Sequence, residues 1–261
     1  MNPAAATTSH EPARPYAVTL AAAAARGSAL AALPCRLHDG RTVLLRPARP
    51  DDARLLTAWF AHLSPESRRL RFHADVVGYL TAEQVRALTQ VDHRDHAAWV
   101  ATTSTAPESV VGLATYDRLP SPPHTAEAAI AVLDAWQGLG VGTALLDVLA
   151  IVAGHHDIRV LRNYVLRRNR AMLRLLDELG AERQHLDRHV DLVELEVSEA
   201  ALAGLPDTSA ARALRRLMSA SAETVSSGRP VVGRERAPLD DWMDRRLDGG
   251  DSPGTRLPTG P

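Results

Sequence analysis

Three glycines at alternate positions, Gly138, Gly140 and Gly142, lie in the stretch Gln137-Gly138-Leu139-Gly140-Val141-Gly142-Thr143 and follow the apolar run Ala128 to Leu133. Glycines so spaced remove side chains where backbone must approach an anion. A helix opening near Gly142 would add unpaired N–H groups and the positive end of its dipole. The chemistry this predicts is binding of a pyrophosphate. Glu127 opens the same apolar run and places a carboxylate at the far end of a strand that feeds the turn.

A dinucleotide-binding turn is the first competing reading. Counting Gly-x-Gly-x-x-Gly from Gly138 puts Thr143 where the third glycine belongs, and the next carboxylate near the right spacing, Asp157, follows a helix and two histidines. A purely structural glycine turn is the second. All thirty lysine-or-arginine positions are arginine, so a P-loop lysine, a Schiff-base lysine and self-modification on a lysine side chain are excluded.

Eleven histidines raise the question of a metal. His93 and His96 flank a turn and His155-His156 end a helix. His185, Asp187, His189 and Asp191 would share one strand face if no bulge intervened, which makes them the most ligand-like set. Surface histidines are ordinary, and no metal is expected.

The elements that must position these residues can be read in order. Residues 1–37 are rich in Ala, Pro, Thr and Ser and read as a mostly disordered arm with a short alanine helix near 20–32. The alanine-dominated run from Tyr16 to Ala25 is too short to span a bilayer and is preceded only by Arg14, so it is not read as a secretory signal. Thr42 to Pro47 is a strand stopped by proline. Pro50-Asp51-Asp52 opens a helix whose Leu55, Leu56, Trp59, Phe60 and Leu63 recur at helical spacing.

Ser64-Pro65 ends that helix and starts another turn through Phe72, carrying Arg68, Arg69 and Arg71 on either a solvated or a substrate-side face. Thr81 and Gln84 have capping-box spacing for a helix reaching about Gln90. Strands are predicted over 97–102 and 110–116, then the strand and glycine turn, then a helix ending near Gly154. A strand over 159–166, a helix from Asn169 to Leu179 capped by Gly180, and a hairpin over 181–197 complete the domain. Beyond Ser198 one short helix is expected over 209–219, and 221–261 reads as a mostly disordered tail.

Bulk properties set the class. Hydrophobic residues make up 45% of the 261, enough to build a core, and the formal net charge of -1 offers nothing to nucleic acid or an anionic membrane. The single cysteine, Cys35, cannot close an internal disulfide, which fits a reducing compartment; a cytoplasmic location is expected. No apolar run approaches membrane length.

This order of elements resembles the GCN5-related N-acetyltransferase (GNAT) family over about residues 38–197. Gln137-Gly138-Leu139-Gly140-Val141-Gly142 is similar to the family's acetyl-CoA motif, and Asn169-Arg170-Ala171-Met172 resembles the opening of its later helix. Within the family the resemblance is to bacterial protein lysine acetyltransferases. It is carried by Pro65-Glu66-Ser67-Arg68-Arg69-Leu70-Arg71-Phe72, Val91-Asp92-His93-Arg94-Asp95-His96, and Ala126-Glu127 ten residues before Gln137.

The resemblance implies an α/β fold, a mostly antiparallel mixed sheet of about six or seven strands flanked by helices. It divides the chain into an arm (1–37), an acetyltransferase domain (38–197) and a C-terminal extension (198–261). Neither flank is expected to build the regulatory domain fused to some relatives. It implies acetyl-CoA as co-substrate, held by Ile130, Ala131 and Val132 along the pantetheine arm, by Gln137, Gly138, Leu139, Gly140, Val141, Gly142 and Thr143 at the pyrophosphate, and by Asn169, whose role as helix N-cap is sufficient in itself.

It further implies Glu127 as general base and a backbone N–H near Val132 as oxyanion donor. The family often carries a tyrosine seven residues after the asparagine; here Leu176 stands there, which leaves water, Tyr164 or Tyr116 to protonate the leaving thiolate. The expected acceptor is a protein lysine. A small-molecule amine such as a polyamine, aminoglycoside or amino acid, and a non-catalytic acyl-CoA-sensing module, are the alternatives.

Overall fold

The computed structural model describes residues 32–72, 79–198, 201, 208 and 211–214. All of them belong to the first of two units, Met1–Arg229. The framework is an eight-stranded sheet, β1 (Leu33–Arg36), β2 (Thr42–Pro47), β3 (His96–Thr103), β4 (Val110–Arg118), β5 (Thr125–Val132), β6 (Val160–Leu166), β7 (Glu182–His185) and β8 (Val190–Glu196), in the order β1-β2-β3-β4-β5-β6-β8-β7. Every neighbouring pair is antiparallel except β5 and β6.

One strand more than the predicted six or seven is present, and it is β1, which the sequence assigned to the arm. Leu33 and Cys35 are each 3% exposed while Pro34 and Arg36 face out. Four alternating residues are too few to announce a strand, and a proline among them argues against one unless the strand is an edge, which β1 is.

Five α-helices are described: α1 (Ala53–His62), α2 (Pro65–Phe72), α3 (Ala82–Thr89), α4 (Val141–His155) and α5 (Arg170–Glu178). The capping box predicted before α3 is formed, with the Thr81 hydroxyl accepting from the Gln84 N–H and the Gln84 amide oxygen accepting from the Thr81 N–H. Helix α4 is buried nearly all round, from Val141 through Ala153. It presses on β4 closely enough that a Cβ on Gly112 would stand 2.9 Å from Leu145 and 3.1 Å from Val141, so any larger residue there must displace those side chains.

The sheet therefore has a core face and a second face. Ala126 and Ala128 of β5 and Ala114 and Tyr116 of β4 join the cluster around α4. On the other side α1 lies against β4 and α2 against β5. Burial there carries charge: Arg46, 4% exposed, is held by both Asp52 oxygens at 2.7 and 2.8 Å and by Glu108 at 2.8 Å. Desolvation works against the guanidinium, and the two carboxylates outweigh it, raising its pKa.

The core also extends past the expected boundary at 197. Ala211 and Leu214, in a helical segment, are fully buried in the α4 cluster. The expected alanine helix near 20–32 falls on residues outside the described ones, save residue 32, as do most of the helix over 209–219 and the whole of the tail over 221–261.

Candidate active site

The glycine turn is built by a strand that ends and a helix that begins with almost nothing between them. After Val132 the chain makes a 3-10 turn over Asp134–Trp136, passes Gly138 and Gly140 at φ of 70° and 95°, and enters α4 at Val141. Both angles lie in the left-handed region that favours glycine. Ala144 is the first N–H of α4 to reach back along the helix, to the Gly140 carbonyl at 3.0 Å. The preceding N–H groups of Val141, Gly142 and Thr143 therefore lack intrahelical acceptors and converge at the positive end of the helix dipole.

Each residue predicted for the turn has a definite place. Gly142 faces Leu175 of α5 and Val132 at 3.6 and 3.9 Å from a virtual Cβ, so a methyl group there makes only ordinary van der Waals contact with the described residues. The Leu139 carbonyl accepts from the His38 N–H, which docks the β1–β2 turn on the glycine turn. Gln137 folds backward, its amide donating to the Val132 carbonyl at 3.0 Å and to the Ser67 hydroxyl at 3.2 Å. Asp134 accepts from the Ser64 N–H and from the Ser64 and Ser67 hydroxyls. Burial opposes its charge, yet those hydrogen bonds prevail and hold the carboxyl below its ordinary pKa. Gln137 and Asp134 thus brace the turn against α2.

Strand β5 is only half paired on its β6 side. The parallel register runs Thr125↔Val160, Ala126↔Leu161, Glu127↔Arg162 and then stops, whereas pairing with β4 continues to Val132. The Thr125 carbonyl and the Leu133 N–H both bond toward β4, so strand alternation turns the N–H groups of Ala128, Ile130 and Val132 toward the opening beside β6. Ile130 and Val132 pack their side chains on the core, and Ala131 pairs with Leu113 on the other face. The gap is a free strand edge, the geometry into which an extended ligand adds itself. Arg168 reaches Glu66 of α2 at 3.5 Å, an exposed ion pair of little energetic weight.

Glu127 is half-buried at the last paired position, where the gap opens. Its cross-strand neighbours form a row on one face of the sheet: His96 (β3), Asp117 (β4), Glu127 (β5), Arg162 (β6) and Glu194 (β8). His96 Nδ1 lies 2.7 Å from Asp117 Oδ1, and Arg162 donates to Glu194 at 2.8 and 3.0 Å. Sequence reasoning missed Asp117 and Arg162 and gave His96 no role. The signal was period-two alternation within each strand, which needs the register between strands to become informative.

Asn169 caps α5, its side-chain oxygen accepting from the Met172 N–H at 3.2 Å. Leu176 is fully buried in the core. Tyr116 points to the α4 face, where its hydroxyl donates to the Arg94 carbonyl and burial raises its pKa far above the ordinary value. Tyr164 shares the Glu127 face by register and is 36% exposed. The ligand-like set divides: His185 bonds Asp191 across the hairpin at 2.6 Å, while Asp187, in the turn, accepts from the N–H groups of His189 and Val190. Because β7 ends at His185 and β8 begins at Val190, the four do not share one strand face.

Comparison with known proteins converges on this region. The profile of the Acetyltransferase (GNAT) family matches residues 56–181. The acetyltransferase Pat of Mycolicibacterium smegmatis is 30% identical over 165 residues, 63% of this chain and 49% of the relative, so the chain spans about half the length of that protein. An acetyltransferase of Pseudomonas aeruginosa is 31% identical over 145 residues, covering 55% of this chain and 77% of its own. The crystal structure of the GNAT domain of S. lividans PAT aligns with 30% identity and a TM-score of 0.58, covering 63% of this chain and 96% of that one.

Proposed function

The chain belongs to the GNAT acetyltransferase family, and from that premise we propose that it moves the acetyl group of acetyl-CoA to the side-chain amine of protein lysines, with Glu127 as general base. The observation that carries this reading is the position of Glu127. It is the last residue of β5 paired to β6, so it stands where those two strands part. Lysine as acceptor rests on the resemblance of 65–72, 91–96 and 126–127 to bacterial lysine acetyltransferases.

The residues fit acetyl-CoA as substrate. Gly138 and Gly140 open the turn, the first-turn N–H groups of α4 meet the pyrophosphate, and the β5 edge accepts the pantetheine arm. Glu127, directly or through one water, takes a proton from the lysine ammonium. The freed amine attacks the thioester carbonyl, and a β5 backbone N–H stabilises the oxyanion. Collapse breaks the C–S bond and releases thiolate; the attacking nitrogen gives up its second proton to form the neutral amide, and that proton is passed through water or Tyr164 to the thiolate. Tyr116 is withdrawn from that role because its hydroxyl is committed on the opposite face.

We assign the oxyanion donor to Ile130 rather than to the neighbourhood of Val132. At about 3.3 Å per residue, Ile130 lies roughly 10 Å along β5 from Glu127 and Val132 roughly 17 Å. A glutamate side chain, one water and the forming C–N bond span the shorter distance and not the longer. Replacing Glu127 by Gln is expected to leave acetyl-CoA binding intact while turnover falls about 10²- to 10⁴-fold; unchanged turnover would remove Glu127 from the mechanism.

A further inference from the structure

We propose that Asp117 and His96 form a positioning pair that governs the charge felt by the Glu127 carboxyl, an inference that rests on Glu127 being the base. Asp117 is the direct cross-strand partner of Glu127, and His96 that of Asp117. Direct partners on one face hold their Cβ atoms about 4.5–5.5 Å apart, close enough for two carboxylates to repel. Asp117 is only 7% exposed, so water does little to relieve that repulsion. His96 does, through its 2.7 Å contact with Asp117.

Two arginines reach the same face. Arg162, opposite Glu127 on β6, directs Nε and a terminal nitrogen to Glu194. Arg71 of α2 reaches the same face and donates to Thr115, two residues from Asp117. Asp92 and Asp95, in the turn before β3, add negative charge near His96. The hydrogen bond to Asp117 is the main reason the His96 pKa lies above the ordinary 6.5, with burial opposing it.

A mechanism follows from charge alone. With His96 protonated, its cation offsets the Asp117 charge and Glu127 is relieved of that repulsion. Once His96 is neutral, the bare Asp117 charge raises the proton affinity of Glu127 and makes it a stronger base. The pair therefore strengthens the base over the same pH range in which His96 loses its proton. Neither residue needs to touch substrate.

Linkage makes the test reciprocal: if His96 and Asp117 bias Glu127, then Glu127 must bias His96. The His96 imidazole would be titrated by NMR in the whole chain, its signal assigned by loss in H96N. The midpoint is expected above 6.5 in the wild type, lower by about half a pH unit in E127Q and by about one unit in D117N. An E127Q midpoint equal to that of the wild type overturns the proposal, since Glu127 makes its mark only through the field.

A kinetic arm uses acetyl-CoA, a lysine-bearing peptide and detection of released thiol. The acid limb of the pH–rate profile is expected to move down in D117N and up in H96N, which keeps a donor near Nδ1 but removes the charge. Simple structural damage would lower both rates without opposite shifts, and limbs that coincide with the wild type overturn the proposal. Turnover retained in E127Q would instead remove the base assignment, with the NMR coupling left standing as a separate result.

Discussion

At the scale of residues, the energetics of this protein are concentrated in a few groups whose charge the fold has altered. Burial pushes His93 down to about 4, with Asp92 and a hydrogen bond at Ala48 opposing. His156 also falls to about 4, first through burial and then through His155, Arg94 and Arg118. A histidine held neutral in the fold and free to charge when unfolded stabilises fully above its unfolded value of 6.5, and that stability is lost as pH falls toward 4. The loss should be on the order of 2 kcal/mol for each. Thermal melts between pH 7 and 4 should fall steeply for the wild type and more shallowly for H93N/H156N; parallel curves would show that neither histidine is held neutral. Asn suits position 93, where φ is 58°. His96 runs oppositely, its raised pKa giving stability that is present at low pH and lost as pH rises through its folded value.

Among elements, the decisive relation is between β5 and α4, and glycine sets it at two positions for different reasons. Gly112 is demanded by packing: Gly112→Val would drive into Leu145 and Val141 and should cost at least about 1–3 kcal/mol, read as a lower denaturation midpoint. Gly142 is not demanded by packing. Gly142→Ala should hold or raise stability by up to about 1 kcal/mol through helix propensity, while Gly142→Leu should leave circular dichroism intact and weaken acetyl-CoA binding. Equal affinity in the leucine variant would show that the turn is structural only. Most of these elements were legible in the sequence because their signals are local: Thr42–Pro47 was bounded by its proline, α3 by its capping box, α5 by Asn169 and Gly180. What was illegible is relational. The alternation of His96, Asp117, Glu127 and Arg162 is visible in each strand, but only inter-strand register makes them one row, and β1 is too short to carry a pattern.

For the molecule as a whole, the folded domain is larger than its motif-bearing part. Expected limits of 38 and 197 exclude Leu33 and Cys35 on one side and Ala211 and Leu214 on the other, and all four are buried in the core around α4. Leu214→Ala should cost about 2–5 kcal/mol, seen in equilibrium denaturation, and a chain ended at 198 should be less stable still. An unchanged midpoint would return the boundary to 197. Among the described residues no helix is long and apolar enough to cross a membrane.

The proposal joins these scales: in a chain of the acetyltransferase family, Glu127, where β5 and β6 part, is proposed to deprotonate a lysine amine. Its most direct measurement is incubation of the purified chain with acetyl-CoA and a bacterial lysate, followed by mass spectrometry of acetyl-lysine. Because the chain contains no lysine, acetyl-lysine in the sample cannot arise from the enzyme itself. Site-specific acetylation with the wild type and its loss with Glu127→Gln at equal acetyl-CoA binding is the predicted result; equal acetylation by both, or none by a wild type that binds acetyl-CoA, would contradict it.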